Sequence, residues 1–123
     1  MSLLNLSPSR NYYLYNGPAD MRKTFNGLTS IIRGELSGNP LSGDVFIFFN
    51  RSRNQVKLLL WEGEGFGIFH KRLEQGTFEL PAASAGQAGA AIPWQDLQFI
   101  LQGVELQSIR FRRRYQRKSL LEA

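Results

Sequence analysis

Cations carry most of the chemical character of this chain. In residues 110–118, RFRRRYQRK, six cations interleave with Phe111 and Tyr115, and no acid intervenes. Lys and Arg neutralise phosphates and release counterions, while aromatic rings stack on bases or pack down on a domain. Arg110, Arg112, Arg113 and Arg114 are therefore candidate nucleic-acid contacts, and nothing in the run confers base specificity. A solvated extension has the same composition, and RNA or an acidic protein surface would suit it as well as DNA. A second set lies upstream: Arg22 and Lys23, Arg51 and Arg53, Lys57, Lys71 and Arg72. Turns and sheet edges use such residues simply to stay solvated. Taken together with the tail, the set points to a phosphate-binding face.

No other constellation supports catalysis. His70 is the one histidine, flanked by Phe69 and Lys71. A general base needs an orienting partner, and a lone His without Cys cannot build a zinc site. The ten acids are scattered, whereas two-metal nuclease chemistry needs convergent carboxylates. Glu62-Gly63-Glu64-Gly65-Phe66-Gly67 resembles a phosphate loop only in its glycines. No Lys-Ser/Thr opens a helix after it, and its acids would repel phosphate. The expectation is a protein that is not an enzyme, with no catalytic residues, no metal and no cofactor.

The elements that position these cations follow from patterning. Val45–Asn50, Gln55–Trp61, Phe66–Leu73 and Thr77–Leu80 are short runs of strand-favouring residues. They are separated by Arg51–Asn54, Glu62–Gly65 and Glu74–Gly76, and Pro81 closes the last. This predicts an antiparallel β-meander of four strands. Arg51 and Arg53 fall at a hairpin tip, Lys57 within the second strand, and Lys71 and Arg72 near the end of the third. Upstream, Tyr12–Tyr15 suits a short strand and Asn16-Gly17-Pro18 a turn. Asp20 reads as the N-cap of a helix over 20–36, with Met21, Phe25, Leu28, Ile31 and Ile32 on one face. Arg22 and Lys23 would sit in its first turn, against the helix dipole, where amides and cations together suit an anion. Residues 81–91, PAASAGQAGAA, read as a flexible excursion. A second helix is expected over 94–102, with Gly103 as its stop, and 104–109 alternate weakly enough to add a strand.

The fold class expected is α+β: an antiparallel meander of about four strands packed with two helices. Residues 1–109 form one domain with 1–11 loosely held, and 110–123 form a basic tail. A chain of 123 residues buries roughly two-thirds of its unfolded surface, enough for a core without staples. It has no cysteine, which fits a reducing cytoplasm. No run approaches the roughly 20 apolar residues of a membrane span, and the first residues lack the pattern of a secretion signal. The formal charge of +5 favours polyanions.

The order of short motifs resembles a known family. It runs Asp20-Met21-Arg22-Lys23, Gly27-Leu28, Asn39-Pro40 with Ser42-Gly43, Val45-Phe46-Ile47-Phe48 with Asn50-Arg51, then Lys57, Leu59 and Trp61. Gly65-Phe66, Lys71-Arg72-Leu73-Glu74, Gly76, Phe78 and Pro81 complete it. This is similar to the small accessory protein, TnpB type, of the insertion-sequence family sixty-six of bacterial mobile elements. The resemblance covers residues 18–81, with a weaker match at the helix ending in Gly103. It implies a protein encoded beside a larger DDE transposase and assisting transposition, with no catalytic residues of its own. The family's basic positions are matched by Arg22, Lys23, Arg51, Lys57, Lys71 and Arg72. Thr24 and Gly67 depart from the family pattern, which more often has glycine and a large residue there. The function expected is a non-catalytic, DNA-binding accessory protein of the cytoplasm. The alternative is an adaptor that binds the element's transposase and touches no DNA, anchored by Phe66 or Trp61.

Overall fold

The computed structural model describes residues 6–82 and 85–103. The expected strand over 104–109 and the basic tail lie outside them. The chain order is β1 (Tyr12–Tyr15), α1 (Phe25–Gly34), β2 (Val45–Phe49), β3 (Gln55–Trp61), β4 (Phe66–Arg72), β5 (Gly89–Ile92) and α2 (Trp94–Leu101). The five strands form one sheet in the order β4-β3-β2-β1-β5. The α+β class holds, but the sheet is mixed. β2, β3 and β4 make an antiparallel meander of three strands. β1 pairs parallel with β2 across the α1 crossover, and β5 closes the other edge antiparallel to β1.

Both faces of the sheet are covered, which explains why β2 and β3 read as continuous apolar runs. Alternate side chains point to opposite faces. Tyr12, Leu14, Val45, Ile47, Phe49, Val56, Leu58 and Leu60 meet Leu97 and Ile100 of α2 on one side. Phe46, Phe48 and Leu59 meet Leu28, Ile31 and Ile32 of α1 on the other. All five residues of β2 are buried.

Four expectations are corrected. The helix begins at Phe25, five residues after Asp20, with Thr24 as N-cap and no side-chain cap bond. Asp20 is instead spent on Arg22: its Oδ1 accepts the Arg22 backbone N–H at 2.9 Å, and the Lys23 N–H donates to the Asp20 carbonyl at 3.0 Å, closing a turn. Thr77–Leu80 is not a strand. Phe78 is nonetheless 1% exposed, its ring edge-on to Phe49 at 5.4 Å and its N–H donating to the Arg53 carbonyl at 2.7 Å. The segment read as a flexible excursion contains β5. Its small residues serve close packing, since a Cβ at Gly89 would lie 2.9 Å from the Leu14 carbonyl oxygen and 2.6 Å from Leu36 Cδ2.

Candidate functional site

Topology gathers cations at one end of the sheet. Because β1 and β2 run parallel, their C-terminal ends lie together, and the β2–β3 tip and the end of β4 join them. The register pairs Gln55, just past the tip, with Arg72. The Leu73 N–H donates to the Asn54 carbonyl at 2.8 Å, and the Ala19 N–H donates to the Phe49 carbonyl at 2.8 Å. Three connections therefore converge: residues 16–24 leading into α1, the tip 50–54, and the turn after β4. They bring Arg22, Lys23, Arg51, Arg53 and Arg72 to one rim, and all five are exposed.

The tip is rigid. Asn50 Oδ1 accepts the N–H groups of Asn54 and Gln55, both at 3.0 Å, and its Nδ2 donates to Asn54 Oδ1 at 2.7 Å. Arg53 sits at φ 55°, a left-handed conformation that suits Gly or Asn better than a long side chain. A small cavity of about 180 Å³ lies beside the two tip arginines, walled by Tyr15, Asn16, Gly17 and Pro18.

Two of the rim cations are balanced. The Arg22 guanidinium grips Asp20 through Nη2 at 2.7 Å and Nε at 3.0 Å. Those hydrogen bonds pull the Asp20 carboxyl down to about 2 and raise the Arg22 pKa. Arg72 Nη2 meets Glu74 Oε1 at 2.9 Å. Both pairs are open to water, so neither contributes much to stability, and each guanidinium keeps an outward edge.

Two expected contacts have other work. Lys57 is 5% exposed. Its ammonium donates to the Met21 carbonyl at 2.8 Å and the Lys23 carbonyl at 2.7 Å. It lies under the rim and pins the segment that presents Arg22 and Lys23. Lys71 faces the opposite side of the sheet from Arg72, where its Nζ donates to the Leu101 carbonyl at the end of α2, at 2.9 Å. Arg110, Arg112, Arg113 and Arg114 are outside the described residues.

Sequence reasoning missed the pair His70 and Gln55, which shares the rim. His70 Nε2 lies 2.9 Å from Gln55 Oε1. Desolvation first, then the charges of Lys57 and Arg72, lower the His70 pKa from its ordinary value. The folded state thus prefers neutral imidazole. The unfolded chain takes up the proton more readily, so stability falls as pH drops from the unfolded value through the folded one. An NMR titration of the His70 ring is expected to show a midpoint below 6.5. A midpoint at or above that value would mean that the ring is more solvated than its place beside Gln55 implies and that the Lys57 and Arg72 charges are screened from it. Among the described residues, no group of three or more His, Cys, Asp or Glu side chains is placed to hold a metal ion, and no helix is long and apolar enough to cross a membrane.

These features define a class: a small α+β domain with a two-sided sheet and a cationic rim. The family model described as "IS66 Orf2 like protein" matches residues 10–111, and the chain belongs to that family, a family of transposition-associated accessory proteins. Among curated proteins it is 34% identical over 93 residues to the uncharacterised protein y4hO of Sinorhizobium fredii, covering 76% of this chain and 79% of that one. It is 30% identical over 83 residues to the uncharacterised protein y4jC of the same organism, covering 66% and 71%. No solved structure matches.

Proposed function

We propose that this accessory protein works without catalysis, by holding DNA phosphates along the cationic rim. Arg51 and Arg53 are the principal contacts, Arg22, Lys23 and Arg72 flank them, and the tail residues Arg110, Arg112, Arg113 and Arg114 add unspecific affinity. The observation that carries the reading is the convergence, among the described residues, of five exposed cations from three separate connections, two of them paired with carboxylates. The left-handed Arg53 adds to it: conformational strain is tolerated most often where a side chain has a task. Lys57 and Lys71 belong to the scaffold of this site and not to its contact surface.

The test is fluorescence anisotropy with labelled duplex DNA, titrated with salt. The double variant Arg51→Glu, Arg53→Glu is expected to bind at least about tenfold more weakly, with a salt slope smaller by about two, one per lost phosphate contact. Neutralising the four tail arginines should lower affinity while keeping that rim-dependent difference. An unchanged slope in the double variant removes the rim from the reading.

The element's transposase is the protein partner we propose. Phe25, at the start of α1 beside Lys23, is 44% exposed, and an exposed aromatic next to cations suits a protein contact. Trp61 and Phe66, the anchors expected from sequence, are half-buried and packed edge-on to each other at 4.9 Å. Loss of transposase capture in Phe25→Ala, with DNA binding intact, is the expected result. Equal capture by the variant removes Phe25 as the anchor.

A further inference from the structure

A cavity lies away from the cationic rim, on the α1 side of the sheet and beyond that helix's C-terminus. It encloses about 450 Å³, within the range of roughly 300–1,000 Å³ typical of small-molecule sites. Its apolar wall is the cross-strand pair Tyr13 and Phe46, whose rings stack with centroids 5.9 Å apart and planes at 26°. Around them stand Ser37, Asn39, Ser42 and Asp44. Ser37 holds φ 51°, a left-handed conformation that glycine adopts more readily. Asp44 Oδ1 accepts from Asn11 Nδ2 at 3.3 Å, which orients the carboxylate. Among the described lining residues, Asp44 is the one that carries a charge.

We propose that this cavity seats a single heteroaromatic base bearing an exocyclic amine, such as cytosine or adenine. Phe46 is buried, so the half-buried Tyr13 ring is the stacking surface, and stacking on an aromatic side chain recognises any base. The carboxylate then discriminates, because it accepts from an amine such as cytosine N4 and repels the carbonyl that uracil or thymine presents there. Among the described residues the lining has an acid and no cation, which disfavours a phosphate at the same place. The base is therefore taken alone, either from a nucleoside or from an unpaired position in a strand. This site does not depend on the rim: Asp44 precedes β2, and the arginine tip follows it.

The test is an NMR titration of the full chain, following backbone amides. Cytidine and adenosine are expected to move the signals of residues 37–44 and Gly89, and uridine to bind at least about tenfold more weakly. In Asp44→Asn the preference for cytidine over uridine should shrink to about twofold or less, and Ser42→Trp should block all three. Single-stranded oligo-dC and oligo-dT separate the sources. Pocket shifts with dC but not with the nucleosides assign the seat to a strand, and shifts with both assign it to the base itself. Measurable and equal shifts with cytidine and uridine, equal shifts with oligo-dC and oligo-dT, no response of pocket amides to any probe, or an undiminished preference in Asp44→Asn would overturn the proposal. The first two readings use the unaltered protein, so a variant that fails to fold does not blunt them.

Discussion

Replacing Lys57 by alanine is expected to destabilise the protein by about 3 kcal/mol, because hydrogen bonds from a charged donor are worth roughly 1.5–3 kcal/mol each and their loss here also opens the space beneath 21–23. Lys57 lies opposite Phe48 in the β2–β3 ladder, and its ammonium holds two carbonyls of the segment leading into α1. Neither carbonyl has a helical partner to fall back on, since α1 begins only at Phe25. Lys57→Met should cost less, because methionine fills the channel and removes a charge that was expensive to bury. Denaturant melts read both effects as a lower midpoint with an unchanged slope. The discriminating measurement is DNA binding by the folded variants. If Lys57 is scaffold, the salt slope stays that of the unaltered protein. A slope reduced by about one ion with no loss of stability would return Lys57 to the contact surface.

Phe48→Ala carries the other large effect, about 3–5 kcal/mol. Phe48 is fully buried between the sheet and α1, with the Tyr15 ring 5.8 Å away and Leu28, Ile31 and Ile32 in the same cluster. Its removal leaves a hole that strands on one side and a helix on the other cannot both close. Domains of this size have only about 5–15 kcal/mol in total, so the variant should melt far earlier or populate the unfolded state at physiological temperature. A loss under about 1 kcal/mol would show that α1 settles into the gap and that its position over the sheet is looser than the contacts suggest. Because α1 follows directly on the Arg22–Lys23 segment, such looseness would also weaken the case for a preformed rim.

Much of the meander was legible because its strands and turns obey strong local rules. Gln55–Trp61 was bounded by a polar tetrapeptide and a Glu-Gly pair, and the observed strand has those limits. The arginine tip followed from the same turn signal. What stayed hidden were pairings between distant segments. Nothing in Tyr12–Tyr15 announces a parallel partner 30-odd positions on, and β5 looks like linker because its small residues are required by Leu14 and Leu36. Asp20 had the type of an N-cap, but Arg22 competed for its carboxylate and won at close range.

The burial of Lys57 is legible in its neighbours. In Val56–Leu60 both strand faces are apolar, which marks a strand covered on both sides. A lysine there has to lie inside, whatever its charge suggests. The parity that places Lys57 with Leu59 likewise puts Lys71 with Phe69 and away from Arg72. His70 is set aside in the sequence for want of a partner, because Gln55 comes from the neighbouring strand, a proximity that only the register reveals.

The position of β5 bears on how the protein is made. Asn16, at the end of β1, bonds to Gln87, just ahead of β5, across 71 positions of chain. A ribosome adding about 5–20 residues per second needs roughly 4–14 s to cover that distance. Throughout the interval β1 has no partner on its outer side, and an unpaired strand edge is a template for other nascent chains. Helix α2, which covers Tyr12 and Leu14, arrives later still. Misassembly during synthesis is therefore expected to rise with the number of ribosomes making the protein side by side.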